Sequence, residues 1–175
     1  MPMFRSEKIK RAGGIFMQQK SLAIWLRVIM VFVSIVAAVF LLWVLPVTVR
    51  EMGEGFPEFA MLTLPCLISV WACAIPVAVA IVSFFRITGE VGRDNSFCEK
   101  NAKLLKLIGI MAVVDTGITT FVLALTSIYN AINGGALILM FTVIVFGLTV
   151  AIMAFVLSHL VLKASKLRED NELTI

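Results

Sequence analysis

Charge is scarce in this chain: only 15% of its residues are Asp, Glu, Lys or Arg, against 61% that are hydrophobic. Soluble domains carry about 25% charged and about 45 to 50% apolar residues. A water-soluble fold has no way to hide the excess apolar surface, and the mean hydropathy of +1.03 points the same way. Histidine occurs once and tyrosine once. With a single histidine, and with no H-E-x-x-H, G-x-S-x-G, P-loop or G-x-G-x-x-G, the chain lacks the material of a hydrolytic or nucleotide-binding centre. It therefore reads as non-enzymatic, with no metal and no cofactor. The three cysteines, Cys66, Cys73 and Cys98, form no C-x-x-C. Cys66 and Cys73 lie about 10 Å apart along one helical span, too far for a disulfide, so they read as small packing residues.

What the chain has instead is long apolar runs. Four of them are long enough to cross a hydrocarbon layer about 30 Å thick. They place spans at roughly 22–47, 60–85, 104–128 and 136–162, within a single membrane domain covering residues 1–175. The expected fold is all-α, an integral membrane four-helix bundle. A basic arm followed by an apolar run also resembles a signal peptide, but the run from Val28 to Val49 exceeds an h-region of about 7 to 15 residues. It reads as a helix, with Pro46 helping to end it. Pro76, inside the second span, is expected to kink that helix by removing the amide that would serve the Ala72 carbonyl.

The net charge of +4 and a pI near 9.2 suggest an anionic partner. Nucleic acid would need the basic residues gathered on one soluble face. Here they flank apolar runs, so their expected partner is the lipid bilayer and no direct nucleic-acid contact is expected. Alternating sides across four spans places fourteen of the fifteen Lys and Arg residues with the N-terminus and only Arg50 opposite. Such an excess sets the cytoplasmic side. Both termini, the loop 86–103 and the tail 163–175 are accordingly expected in the cytoplasm of a bacterial plasma-membrane protein. The outer turn, YNAINGG, carries the Asn and Gly residues of a tight reversal.

Within the loop, Ser96, Phe97, Cys98 and Glu99 fit the S-x-x-E capping box. A helix is expected to start there and run unbroken into the third span.

One acid interrupts the apolar runs. Asp115 lies nine residues past Lys106, about 13 Å into the layer. Insertion of an acid at that depth costs about 2.5 to 3.5 kcal/mol, so it must face the bundle interior. Thr119 and Thr126 follow at i+4 and i+11 on the same face, making a polar seam. Two readings stay open: a proton or cation site, and a hydrogen-bonding residue that holds helices together. His159 sits close to the cytoplasmic boundary and reads as an interfacial residue rather than a relay partner of Asp115.

Two cytoplasmic segments, SFCEKNAKLLKLIG at 96–109 and LKASKLREDNELTI at 162–175, resemble the signatures of domain-of-unknown-function family 2975. The resemblance rests on Ser96-Phe97 with Asn101-Ala102, and on Glu169, Asp170, Asn171, Glu172, Leu173, Thr174 and Ile175. It implies a small bacterial four-span membrane protein without established activity. Genes of the family often neighbour a Cro/CI-type helix-turn-helix regulator, which implies a membrane partner for such a regulator. Ser96, Phe97, Glu99, Asn101 and the 169–175 tail are then the candidate docking residues, with a self-docking tail as the plain alternative. Other readings are a small transporter or ion-conducting homo-oligomer using Asp115, and a bacteriocin-type immunity protein.

Overall fold

The computed structural model describes residues 24–91, 97–132 and 134–172, the side chains of Phe59, Asn171 and Glu172 excepted. It is all-α, with four helices long and apolar enough to cross a membrane. These are α1 (Ile24–Gly55), α2 (Ala60–Val91), α3 (Glu99–Ile128) and α4 (Gly134–Glu172). The helices pack in chain order: α1 on α2, α2 on α3, and most extensively α3 on α4, while α2 and α4 make no close backbone approach. α3 is therefore the central element. The outer helices keep large side chains such as Trp25, Phe32, Trp43, Phe141 and Phe146 exposed. Apolar side chains on an outer helix face are what a lipid environment requires.

α1 does not end at Pro46. The chain passes through a π-helical turn at Phe40–Val44, in which the Leu45 amide donates to the Phe40 carbonyl, and continues helically over Leu45–Gly55. Proline lacks an amide hydrogen, and its ring crowds the carbonyl four residues back. The wider turn just before Pro46 absorbs both problems, so the helix survives where a break was expected. The connection to α2 shrinks accordingly to Phe56 and a short 3-10 turn, Pro57–Phe59. There Gly53 packs directly on the Thr63 side chain, leaving no space for a Cβ.

The α3–α4 reversal is the expected tight turn. Asn130 adopts a left-handed φ of 52°. The Ala131 amide donates to the Thr126 carbonyl at 2.9 Å and the Asn130 amide to Ser127 at 3.1 Å. This is the Schellman pattern, and Asn is one of the few residues other than Gly that tolerates it.

α3 starts two residues later than the capping box implied. Its N-cap is Cys98, whose side chain makes no capping hydrogen bond, and Glu99 is the first helical residue. In that position Glu99 pairs with Lys103 one turn on, at 2.9 Å. Ser96, the other half of the expected box, lies outside the described residues. The unbroken run into the span is as expected. Lys100 clasps Glu90 at 2.7 Å, tying the start of α3 to the end of α2.

In this apolar setting the hydroxyl groups turn inward on their own helices. Ser34, Ser69, Ser83, Thr116, Thr120, Thr142 and Thr149 each donate to the carbonyl four residues back. Backbonding satisfies the donor without a neighbour. Ser158 differs: its Oγ donates across to the Ala102 carbonyl of α3 at 2.7 Å. Ser158→Ala is expected to cost about 0.6 kcal/mol and at most about 1.7, the range for interhelical hydrogen bonds in membranes. Unfolding of the purified protein in mixed micelles measures it.

Candidate functional site: the two faces of the central helix

α3 presents two stripes, each repeating every seven residues. Ala102, Gly109 and Thr116 are buried on one; Asn101, Ile108 and Asp115 run along the other, about 100° round the helix. A seven-residue repeat keeps a stripe facing one partner along the whole length of a helix pair.

The first stripe meets α4. Ala102 accepts from Ser158, the Phe155 ring lies against Gly109, and Thr116 packs directly on Gly147. The contacts run in antiparallel order. On α4 the matching residues are Gly147, Ala151, Ala154 and Ser158, a small-residue stripe that lets two backbones approach closely. Ala102 and Ala151 are each 2% exposed, so this seam is closely packed.

The second stripe meets α2. Asp115 lies sixteen residues into α3 and thirteen before its end, about 24 Å and about 20 Å along the axis. Opposite it, Cys73 of α2 lies close enough to interact with the Asp115 carboxyl group and the Thr119 hydroxyl. Thr119 itself donates to the Asp115 main-chain carbonyl at 3.0 Å. Asp115 Oδ1 is closed to solvent and accepts no hydrogen bond from the described residues. Eight apolar or glycine residues, just over two turns, separate Asp115 from Lys106, the nearest charged residue on α3. Among the described residues no three His, Cys, Asp or Glu side chains gather into a metal-binding group.

Thr126, placed with Asp115 by spacing, is buried at 4% exposure near the far end of α3. Its hydroxyl is used locally, on the carbonyls of Val122 and Leu123. The polar seam is thus a series of threonines satisfied within their own helix, and Thr119 bonds to the Asp115 main chain rather than to its carboxyl group. His159 is exposed beside Ser158, which bonds to Ala102, thirteen residues and about 20 Å along α3 from Asp115. It faces a different part of the molecule.

The other candidate residues divide in two. Phe97 and Glu99 are exposed, as are Glu169 and Asp170. Asn101 is the most completely buried large side chain, at 1% exposure, which removes it from any docking surface. The tail is not a separate segment: α4 continues helically through Asn171 and Glu172. Over 39 residues it measures about 58 Å, nearly twice the thickness of a hydrocarbon layer. Lys166, on this extension, is close enough to attract the Glu99 carboxylate of α3. Leu173, Thr174 and Ile175 lie outside the described residues.

Spacing within one helix located Asp115 but not its partner, because Cys73 enters through the register between α2 and α3. The α4 stripe was open to view in the sequence as G-x-x-x-A at 147–151, and its repetition at Ala154 and Ser158 is the signal for the seam.

Comparison with known proteins agrees with this architecture. The family described as Protein of unknown function (DUF2975) matches residues 47–175. The "Uncharacterized membrane protein YoaS" of Bacillus subtilis (strain 168) is 24% identical over 157 residues, covering 87% of this chain and 96% of the relative. No solved structure matches.

Proposed function

The chain belongs to the DUF2975 family of multi-pass membrane proteins, and from that premise we propose that it is a non-enzymatic regulatory partner of a cytoplasmic helix-turn-helix regulator. The observation that carries the reading is the length of α4. Its apolar part suffices to cross the membrane, yet the helix runs on through Lys163, Lys166, Arg168, Glu169 and Asp170, all exposed. The extension stands at the same end of the molecule as the α2–α3 connection, where Phe97, Glu99, Lys100 and Lys103 are also exposed. The excess of Lys and Arg at this end sets it on the cytoplasmic side of a bacterial plasma membrane. An exposed helix of mixed charge with Leu167 more than half exposed offers a protein partner both an apolar anchor and polar register.

A photo-crosslinking residue at Leu167 in the full-length protein, in its native membrane, is expected to trap a helix-turn-helix regulator. The same residue at Ile138, at the opposite end of α4, is expected to trap none. Equal trapping at both positions, or none at Leu167, contradicts the proposal.

A further inference from the structure

Charge at the inner end of α3 lies deeper than charge on the helix beside it. Lys106 falls between Ala102, which meets Ser158, and Gly109, which meets Phe155, so it stands level with residues 155–158 of α4. α4 carries no charged side chain between residues 134 and 162. Its first charge, Lys163, comes five residues beyond Ser158, about 8 Å farther along the axis. The Lys106 ammonium group is therefore held beside an apolar stretch of helix, where headgroups give way to hydrocarbon. We propose that an anionic phospholipid of the inner leaflet docks in the furrow between α3 and α4, with its phosphate at Lys103, Lys106 and His159 and an acyl chain running past Ile110, Gly117 and Ile152.

These residues share one flank of the helix pair. A two-fold axis perpendicular to both helices relates an antiparallel pair, so the residues that immediately follow the seam positions lie on the same side. On α3 they are Lys103, Ile110 and Gly117, after Ala102, Gly109 and Thr116; on α4 they include Ile152 and His159, after Ala151 and Ser158. Lys106 joins them, three residues from Lys103 and four from Ile110. α2 takes the opposite flank, where Lys100 bonds to its Glu90 and Asp115 faces it. All six residues of the furrow are exposed. A Cβ at Gly117 would meet nothing within 4 Å, whereas Gly109 and Gly147 are each covered by a neighbour.

Charge identifies what covers this flank. Lys103 pairs with Glu99 at 2.9 Å, while Lys106 and His159 have no acidic partner among the described residues. α4 offers no carboxylate before Glu169, and the next acid on α3 is Asp115, on the other flank. A cation at this depth needs an anion beside it. The lipid phosphate is the anion that the inner leaflet supplies there, and basic pockets between membrane helices bind such headgroups. Lysine brings three donors, and an imidazole donates an N–H in either protonation state. A second copy of the chain fits less well, because a two-fold along the membrane normal would set Lys106 against Lys106.

This inference does not depend on the regulatory reading. Its test is native mass spectrometry of the full-length protein in a neutral detergent, titrated with phosphatidylglycerol or with phosphatidylcholine of the same acyl chains. Phosphatidylglycerol is expected to bind about tenfold tighter, and Lys103→Ala and Lys106→Ala to weaken its binding about fivefold each. Lys106→Arg is expected to retain binding, which separates loss of charge from loss of fold. Arg86→Ala, a charge removed from α2, is expected to leave binding unchanged. Gly117→Leu is expected to weaken both lipids, by filling the path of the chain. The proposal is overturned by equal binding of the two lipids, by wild-type binding in Lys106→Ala or Gly117→Leu, or by an equal loss in Arg86→Ala and Lys106→Ala. Displacement of the lipid by an equal concentration of glycerol phosphate would also overturn it, assigning the basic residues to a soluble phosphate.

Discussion

Replacing Gly147 with leucine is expected to lower the stability of the folded chain by about 1–3 kcal/mol, toward the upper end of the range for overpacking a close contact. The cause is local: a Cβ at position 147 runs into Thr116 Oγ1, with the Ala112 carbonyl 3.9 Å away behind it. Thr116 cannot swing aside freely, because its hydroxyl donates to that same carbonyl at 2.7 Å. The backbones of α3 and α4 must separate, and Ala151, Ala154 and the Ser158–Ala102 hydrogen bond lose contact together. Denaturation in mixed micelles measures the loss. A double-mutant cycle isolates the cause: Gly147→Ala should cost clearly less in a Thr116→Ala background than in the wild type. Equal costs would mean that the two helices do not approach as described.

Asn101→Ala is expected to destabilise by about 1–3 kcal/mol, the cost of leaving the partners of a buried polar group without it. At 1% exposure this amide, at the start of α3, sits deeper than any other large side chain among the described residues. A docking residue would show the opposite behaviour, with binding lost and stability kept. Lys103→Ala is the control, because that side chain is 75% exposed and pairs with Glu99, itself exposed. A surface change of this kind should stay within about 0.5 kcal/mol. If both variants unfold at the wild-type midpoint, Asn101 has no structural role.

These residues also show where a sequence is readable and where it is not. Hydropathy alone places four helices, because the membrane imposes their length and composition. The depth of Asp115 follows from counting along one helix. Its contact with Cys73 does not, because it depends on how far α2 slides past α3, and no single-helix pattern records that offset. Asn101 has the chemistry of a surface residue, and its flanking lysines reinforce that impression; only tertiary packing buries it. Pro46 illustrates a different gap. A proline after an apolar run is normally a stop, and here a π-turn at Phe40–Val44 carries the helix past it. The helicity of residues 163–172 was within reach: KASKLREDNE has no glycine or proline, and nothing in it ends a helix already under way.

The central claim is that one end of the molecule, made by the start of α3 and the extension of α4, faces the cytoplasm. Cys98 reports on it directly. It is the N-cap of α3 and partly exposed, whereas Cys66 and Cys73 lie within the helix pair in the membrane. A membrane-impermeant maleimide is expected to label Cys98 in inside-out vesicles and leave it unmodified in intact cells. Labelling in intact cells would invert the protein in the membrane and contradict the account.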